Sequence, residues 1–556
     1  MRQFGLVTRL LRVLVHLKNG GTSLVLRQVE DTFEIVHWGA ALGDIDEKSL
    51  AIAGRAVMHG ALDVNPSNLI LREHSRGWIG HPALRGHRSG KSVANWFVCK
   101  NVDAKSDQAT ITLEDKTAGL EISVQYLLDA HGILKINSKV TNIADGDYTL
   151  EHLLNWLPLA PQADEILDFY GHWTKERQPQ RREIAYGLTT REGFEGRSGH
   201  DYTITQIALT KATNFNQGEV WSMGVAWSGN NIHHVEKLID RSKSIGAGEY
   251  LLPGEVILAK GESYEAPAVI AGYSSNGLDG ITNAHYGHIR ARKNHPSRPR
   301  PLTLNMWEAV YFDHNFEKLS AMVNKAAEIG VERVVLDDGW FGARRDDKQG
   351  LGDWVVSKDV WPNGLKPLAD LVNSKGMEFG LWFEGEMIQI DSDVYRAHPD
   401  WVLQETGRMP VAGRTQQVID LTNPGAYSHV LEQVDAVLKS CKISYIKWDH
   451  NRWLTDPISA GRAVVRKQTQ AIYNLFDELK KRNPGLEIES CSSGGGRIDL
   501  GMIDHADRFW TSDQNDPLER QYIQRWTAMV IPPEMLGTHV GPTHGHQTHR
   551  TAEISF

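Results

Sequence analysis

Two carboxylates stand where the chain leaves a short apolar run. In Ile443-Ser444-Tyr445-Ile446-Lys447-Trp448-Asp449 the β-branched and aromatic stretch reads as a buried strand, and Asp449 is the first acid beyond it. In Phe509-Trp510-Thr511-Ser512-Asp513 a second run ends the same way at Asp513, with Asp516 close behind. Cleaving an acetal takes one carboxyl group to protonate the leaving oxygen and another to meet an oxocarbenium-like carbon. The pair points to glycoside chemistry, with Asp449 in a nucleophile's position. Such chemistry needs no metal or cofactor, and none is expected.

Other segments carry the groups a sugar would meet. Leu336-Asp337-Asp338-Gly339-Trp340 pairs two hydroxyl acceptors with an indole; an acidic turn capping a helix is its plainer reading. Trp382-Phe383-Glu384-Gly385-Glu386-Met387 adds two acids, each either a rim salt bridge or a second choice for acid and nucleophile. Side chains alternate along a strand, so Lys447 faces the same side as Asp449 and the opposite side from Trp448. There its charge can keep Asp449 ionised and bind hydroxyls. Arg452 reads as a structural partner. Glu489 to Asp499 is glycine-rich but lacks the Lys-Ser/Thr ending of a phosphate loop; its glycines let backbone approach a ligand, and its Cys491 is a buried thiol within reach of substrate. His539, His544, His546 and His549 show no i, i+4 pair backed by an acid, which argues against a metal.

These segments need a scaffold that brings distant strand ends together. Up to about residue 275 the rhythm is period two. Ala109–Glu114 and Leu120–Tyr126 alternate around a turn and predict a hairpin, and Tyr202–Leu209 and Trp221–Trp227 are further strands. This half is expected to be an antiparallel β-sandwich without a catalytic group. Beyond Ser297-Arg-Pro-Arg-Pro301 strands alternate with helices. Strands are predicted at Leu302–Trp307, Val331–Leu336, Phe379–Phe383, Ile443–Trp448, Leu486–Ser490, Phe509–Thr511 and Leu536–Val540. Helices are predicted at Phe316–Ile329, Leu365–Ser374, Ala426–Leu438 and Val464–Lys480. That spacing predicts a parallel (β/α)8 barrel, in which catalytic groups converge at the carboxyl ends of the strands. Only seven strands are countable, and Thr551–Phe556 reads as a helix just starting, so the barrel is expected to lack its eighth strand. The domains are placed at 1–285, the β-sandwich, and 286–556, the incomplete barrel.

Composition narrows the class. The chain has 556 residues, 41% of them hydrophobic, a net charge of −9 and positive residues scattered along it. Large cores and no nucleic-acid partner follow. Three cysteines are too few and too scattered for a disulfide framework, so free thiols and a cytoplasmic location are expected. Arg9 and Arg12 interrupt the apolar start, and no apolar run approaches the roughly 20 residues that cross a bilayer.

Taken in order, Leu-Asp-Asp-Gly-Trp (336–340), Gly-Leu-Gly-Asp-Trp (350–354), Trp-Phe-Glu-Gly-Glu-Met (382–387), Lys-Trp-Asp-His-Asn-Arg (447–452), Glu-Ser-Cys-Ser-Ser-Gly-Gly-Gly-Arg (489–497) and Trp-Thr-Ser-Asp (510–513) closely resemble the α-galactosidases of glycoside hydrolase family 36, from about residue 25 to the end. The resemblance implies that Asp449 is the nucleophile and Asp513, rather than Asp516, the general acid/base. It implies that Asp337, Asp338, Trp382, Arg414, Lys447, Asn451, Cys491, Gly494 and Trp510 line a galactose pocket. It implies retention of configuration on small α-galactosides such as melibiose and raffinose, with a homo-oligomer possible. Gly385 stands where the family usually has proline, which should loosen that loop, and Ser493 where many members have glycine. Members continue through an eighth strand and a carboxyl-terminal β-domain, and Met1–Leu17 matches them poorly. Three other readings stay open: a raffinose-synthase-like galactosyltransferase, an α-N-acetylgalactosaminidase with more room near Cys491 and Ser493, and an inactive carbohydrate-binding fragment.

Overall fold

Alternation along 108–128 becomes a hairpin whose two faces differ. Gln108–Asp115 and Leu120–Leu128 pair antiparallel from Gln108↔Leu127 to Asp115↔Leu120, and every second side chain is buried. The computed structural model describes residues 13–45, 62 and 68–541. Within them this hairpin joins a ten-stranded antiparallel sheet, flanked by sheets of four, three and three strands. Their inner faces share a core of Leu, Ile and Val with Trp38, Trp156 and Trp221. Tyr202–Leu209 is a strand only over Gln206–Leu209, and the next strand is Val220–Val225. The hairpin Glu165–His172 and Lys175–Glu183 matters most for the site.

A helix unforeseen from the sequence, Gly277–Arg290, runs through residue 285. It holds the first half through His285 Nε2 and Ser222 Oγ (2.9 Å) and the second through Arg290 and Glu534 (2.7 Å).

The second half is a seven-stranded sheet, every neighbouring pair parallel and in sequence order. Its strands are β1 (Thr303–Asn305), β2 (Arg333–Leu336), β3 (Glu378–Phe383), β4 (Tyr445–Trp448), β5 (Glu487–Ser490), β6 (Arg508–Trp510) and β7 (Leu536–Gly537). The connecting helices are α1 (Phe316–Glu328), α2 (Lys366–Ser374), α3 (Pro424–Ser440), α4 (Val465–Arg482) and α5 (Pro517–Thr527). β2 and β4 are buried throughout, the run expected of a parallel strand covered on both faces. β1 and β7 stop well before their predicted ends at Trp307 and Val540. β1 stops because Asn305 Oδ1 accepts the Trp307 amide (2.8 Å) and starts the short helix Trp307–Val310. β7 stops where the Gly537 carbonyl takes donors from Thr511 (2.9 Å), Gln524 (3.0 Å) and Arg520 (3.1 Å). Among the described residues this sheet has seven strands; the predicted helix start at 551–556 and His544, His546 and His549 lie outside them.

The core of the second half also takes in Ile133, Tyr202, Ile204 and Ile270, so the halves are welded by apolar packing. Cys99, Cys441 and Cys491 carry no disulfide. Among the described residues no helix is long and apolar enough to cross a membrane.

Candidate active site

β4 delivers Asp449. Its backbone N–H donates to the Phe383 carbonyl (2.7 Å), continuing the ladder one step past the strand, and its side chain enters a cleft while only 8% exposed. Four N–H groups donate to the carboxylate. Oδ1 accepts from the amides of His450 (2.8 Å) and Ser493 (3.2 Å), and Oδ2 from Trp382 Nε1 (3.2 Å) and Asn451 Nδ2 (2.8 Å). Burial favours the neutral acid, but the Lys447 charge, these bonds and Arg414 outweigh it and hold the pKa below the usual carboxylate range.

Alternation along β4 works as predicted. Lys447 lines the cleft beside Asp449. Trp448 points the other way, donating to Glu386 Oε1 (3.0 Å) with its ring edge-on to Phe476 of α4. Lys447 Nζ donates to Asp337 Oδ2 (3.2 Å) and lies 5.2 Å over the Trp510 ring. Burial opposes its charge, yet Asp337 and the neighbouring acids lift its pKa well above the ordinary value. Asp337 also accepts from Asn305 Nδ2 of β1 (2.6 Å) and from the Asp338 amide (2.9 Å). Asp338 is bound by Arg344 through Nε (2.9 Å) and Nη2 (2.7 Å); burial raises its pKa against that pairing.

The second carboxylate follows β6. Asp513 is half-buried, and an indole N–H donates to each of its oxygens: Trp510 Nε1 to Oδ1 (2.7 Å) and Trp173 Nε1 to Oδ2 (2.9 Å). The glycine-rich loop connects the acids. Ser493 donates to Asp449, while a Cβ on Gly494 would meet the Asp513 amide nitrogen at 2.8 Å and its Cγ at 3.2 Å. Consecutive residues thus touch both carboxylates. Gly494 has φ +78°, so conformation and contact both call for glycine there.

Asp337, Asp338, Trp382, Arg414, Lys447, Asn451 and Trp510 come together around one cleft of about 1910 Å³. Cys491 and Gly494 are not on its wall. Cys491 is 1% exposed, its Sγ is 3.8 Å from the Gly494 carbonyl, and burial followed by the Asp449 charge pushes its thiol pKa well up. Arg414 projects from a loop pinned by Arg452, whose guanidinium donates to the carbonyls of Gln416 (2.9 Å) and Val411 (2.7 Å). The structural role read for Arg452 is the one it has.

The second-choice acids serve the scaffold. Glu384 lies outside the cleft wall and accepts the Asn451 amide (2.7 Å); burial and then the Asp449 charge raise its pKa to about 8. Glu386 accepts from Arg497 (2.5 Å) and Trp448. Asp516 caps α5, accepting from the amides of Leu518 (2.9 Å) and Glu519 (3.2 Å). Gly385 is closely packed at its turn. Its Cα is pressed on Trp448, where a Cβ would come 2.4 Å from Cη2. His539 packs beside Trp510, 3.5 Å from Glu308, and among the described residues no cluster could hold a metal ion.

The first half supplies part of the wall, including Trp173, Arg197 and His200. Nothing in the sequence around Trp173 and His200 marks them, since their partners Asp513 and Ser493 lie 340 and 293 positions away. The cleft continues past Tyr445 and Glu489 to the edges of β1 and β7, which accounts for a volume above the roughly 300–1,000 Å³ usual for a small-molecule site.

A well-ionised carboxylate, a second carboxyl across one loop, indole walls and acids placed for hydroxyls make this the site of a glycoside hydrolase. Comparison with known proteins agrees. The Melibiase family matches residues 263–556, and the glycosyl hydrolase family 36 N-terminal domain matches 31–259. An α-galactosidase from Escherichia coli is 38% identical over 525 residues, covering 94% of this chain and 74% of that enzyme. The α-galactosidase AgaA of Geobacillus stearothermophilus is 35% identical over 480 residues, covering 84% of this chain and 66% of its own length. Among solved structures, an AgaA variant in complex with raffinose superposes with a TM-score of 0.91 at 29% identity, covering 98% of this chain and 81% of that one. The α-galactosidase of Lactobacillus brevis gives 0.92 at 27%, covering 97% and 78%. The chain belongs to glycoside hydrolase family 36.

Proposed function

We propose that this chain is a retaining α-galactosidase that removes terminal α-D-galactosyl residues from galacto-oligosaccharides such as melibiose and raffinose. The relatives named above are α-galactosidases, and AgaA variants have been crystallised with raffinose and with stachyose. The observation that carries the reading is the inequality of the two carboxylates. Asp449 is deeply buried, bound by four N–H donors and held ionised, as a nucleophile must be. Asp513 is half-buried at the cleft, where it can exchange a proton with a leaving group or water.

In the first step an Asp449 oxygen attacks the anomeric carbon, the bond to the leaving oxygen breaks, and Asp513 gives that oxygen its proton. A β-galactosyl ester on Asp449 results. In the second step water attacks the same carbon, the Asp513 carboxylate takes the water's proton, and the ester bond breaks to free Asp449 and α-galactose. Asp337, Lys447 and Asn451 sit where they can hold ring hydroxyls, and Trp382 and Trp510 offer apolar faces.

The test is turnover of 4-nitrophenyl α-D-galactopyranoside with azide rescue. Asp449→Ala should lose about 10⁴-fold or more of kcat and, with azide, release β-galactosyl azide. Asp513→Ala with azide should release the α-azide. The same anomer from both variants would sink the assignment.

A further inference from the structure

The hairpin Glu165–His172/Lys175–Glu183 belongs to the first half, yet its tip is built into the site. Arg177 is 1% exposed and donates from both terminal nitrogens to the Gly495 carbonyl (2.9 and 2.8 Å) and from Nε to Thr527 Oγ1 (2.7 Å). Glu176, wholly buried, accepts from Ser512 Oγ (2.6 Å) and the Gly495 amide (3.2 Å). Gln514 Nε2 donates to the Thr174 carbonyl (3.0 Å). These contacts fall on Ser512 and Gln514, either side of Asp513, and on the loop that touches both acids.

Trp173 sits at this tip. It is 45% exposed on the cleft wall, while its Nε1 donates to Asp513 Oδ2 at 2.9 Å. Asp513 Oδ1 is already held by Trp510 from its own loop. With one indole on each oxygen, the carboxyl plane is fixed about its χ2 bond, a torsion that is otherwise soft. A general acid must present one particular oxygen to the glycosidic oxygen, and small misplacements are costly. Oδ2 is the oxygen bound by the indole that is itself exposed on the cleft wall.

We infer that Trp173, delivered by the first domain, is a positioning residue for the acid/base carboxyl and a wall of the leaving-group subsite, so that the antiparallel half helps set which aglycones are cleaved. The inference rests on the assignment of Asp513 as acid/base. It predicts a dependence on the leaving group, because a nitrophenolate departs with little protonation whereas a sugar alkoxide needs the acid.

The experiment compares kcat/KM for 4-nitrophenyl α-D-galactopyranoside and for raffinose in the full chain, in Trp173→Phe, which keeps a ring but loses the N–H, and in Asp513→Asn. Trp173→Phe should lose about tenfold or more on raffinose and stay within about threefold on the nitrophenyl substrate, with Asp513→Asn showing the same split more strongly. Equal losses on both substrates in Trp173→Phe, or no loss on either, beside a clear split in Asp513→Asn, would overturn this inference alone. No split in Asp513→Asn would overturn the acid/base assignment and this inference with it.

Discussion

Lys447 offers a quantitative test because one cation serves two acids. Its Nζ is 3.2 Å from Asp337, both side chains are close to nine-tenths buried or more, and its charge is the strongest influence holding Asp449 ionised against burial. At an effective dielectric constant of about 20, Coulomb attraction at that distance is about 5 kcal/mol before desolvation. Lys447→Met keeps most of the apolar stem and removes the charge, leaving Asp337 and Asp449 in one buried site. Breaking such a pair costs about 3–5 kcal/mol, and the remaining Asn305 and Asp338 donors to Asp337 place the expected loss at the lower end. The signs are fixed. The depressed Asp449 pKa stabilises the fold above the unfolded value of 3.8 and that stability is lost as pH falls through the folded value; the raised Lys447 pKa stabilises below 10.5 and is lost as pH rises through its folded value. Without Lys447 the Asp449 pKa must rise, so the acid limb of kcat/KM moves to higher pH. Urea unfolding at pH 7 and initial rates between pH 3 and 9 measure both. A loss under about 1 kcal/mol together with an unmoved acid limb would refute the electrostatic account.

Other perturbations probe the scaffold. Arg177→Met removes three hydrogen bonds and one of the two guanidinium charges, with Arg520, that offset buried Glu176; it should cost about 3 kcal/mol in thermal unfolding and lower activity on every substrate. Gly385→Ala should cost about 1–3 kcal/mol, because Trp448 must move to admit the methyl; an unchanged denaturation midpoint would show that the turn yields freely. In the first half His152 stacks on His81 and His234 lies tilted against it, each at a ring spacing of 5.0 Å, and burial pushes the pKa of His152 and of His234 down to about 3. Their neutral forms stabilise the fold above pH 6.5, and that stability drains as pH falls toward 3. His234→Phe should therefore flatten the fall in urea midpoint between pH 7 and pH 5.

Much of this molecule was legible in its residues. Short, mostly apolar runs of three to six residues gave the seven parallel strands in order, because a strand covered by helices on both faces has little polar side to show. The acids after β2, β4 and β6 announced the cleft, since strand ends are where a buried run meets solvent and ligand. Side-chain alternation put Lys447 beside Asp449 and turned Trp448 away. Asp516-Pro517 was a legible helix start, an N-cap followed by proline, and reading it would have removed Asp516 from the acids.

Tertiary structure decided the rest. Glu384 and Glu386 look alike in sequence, and only packing shows one under Asn451 and the other on Arg497. Gly385 read as a loose turn until the Trp448 ring appeared against it. One of the two indoles on Asp513, that of Trp173, comes from a hairpin 340 residues away, through contacts that leave no periodicity and no spacing in the chain. The sequence by itself determined which strands form and which acids end them, because those are local consequences of hydrophobic pattern. Which groups hold those acids in register was decided only when the two halves packed together, because a hydrogen bond between distant segments depends on the fold as a whole.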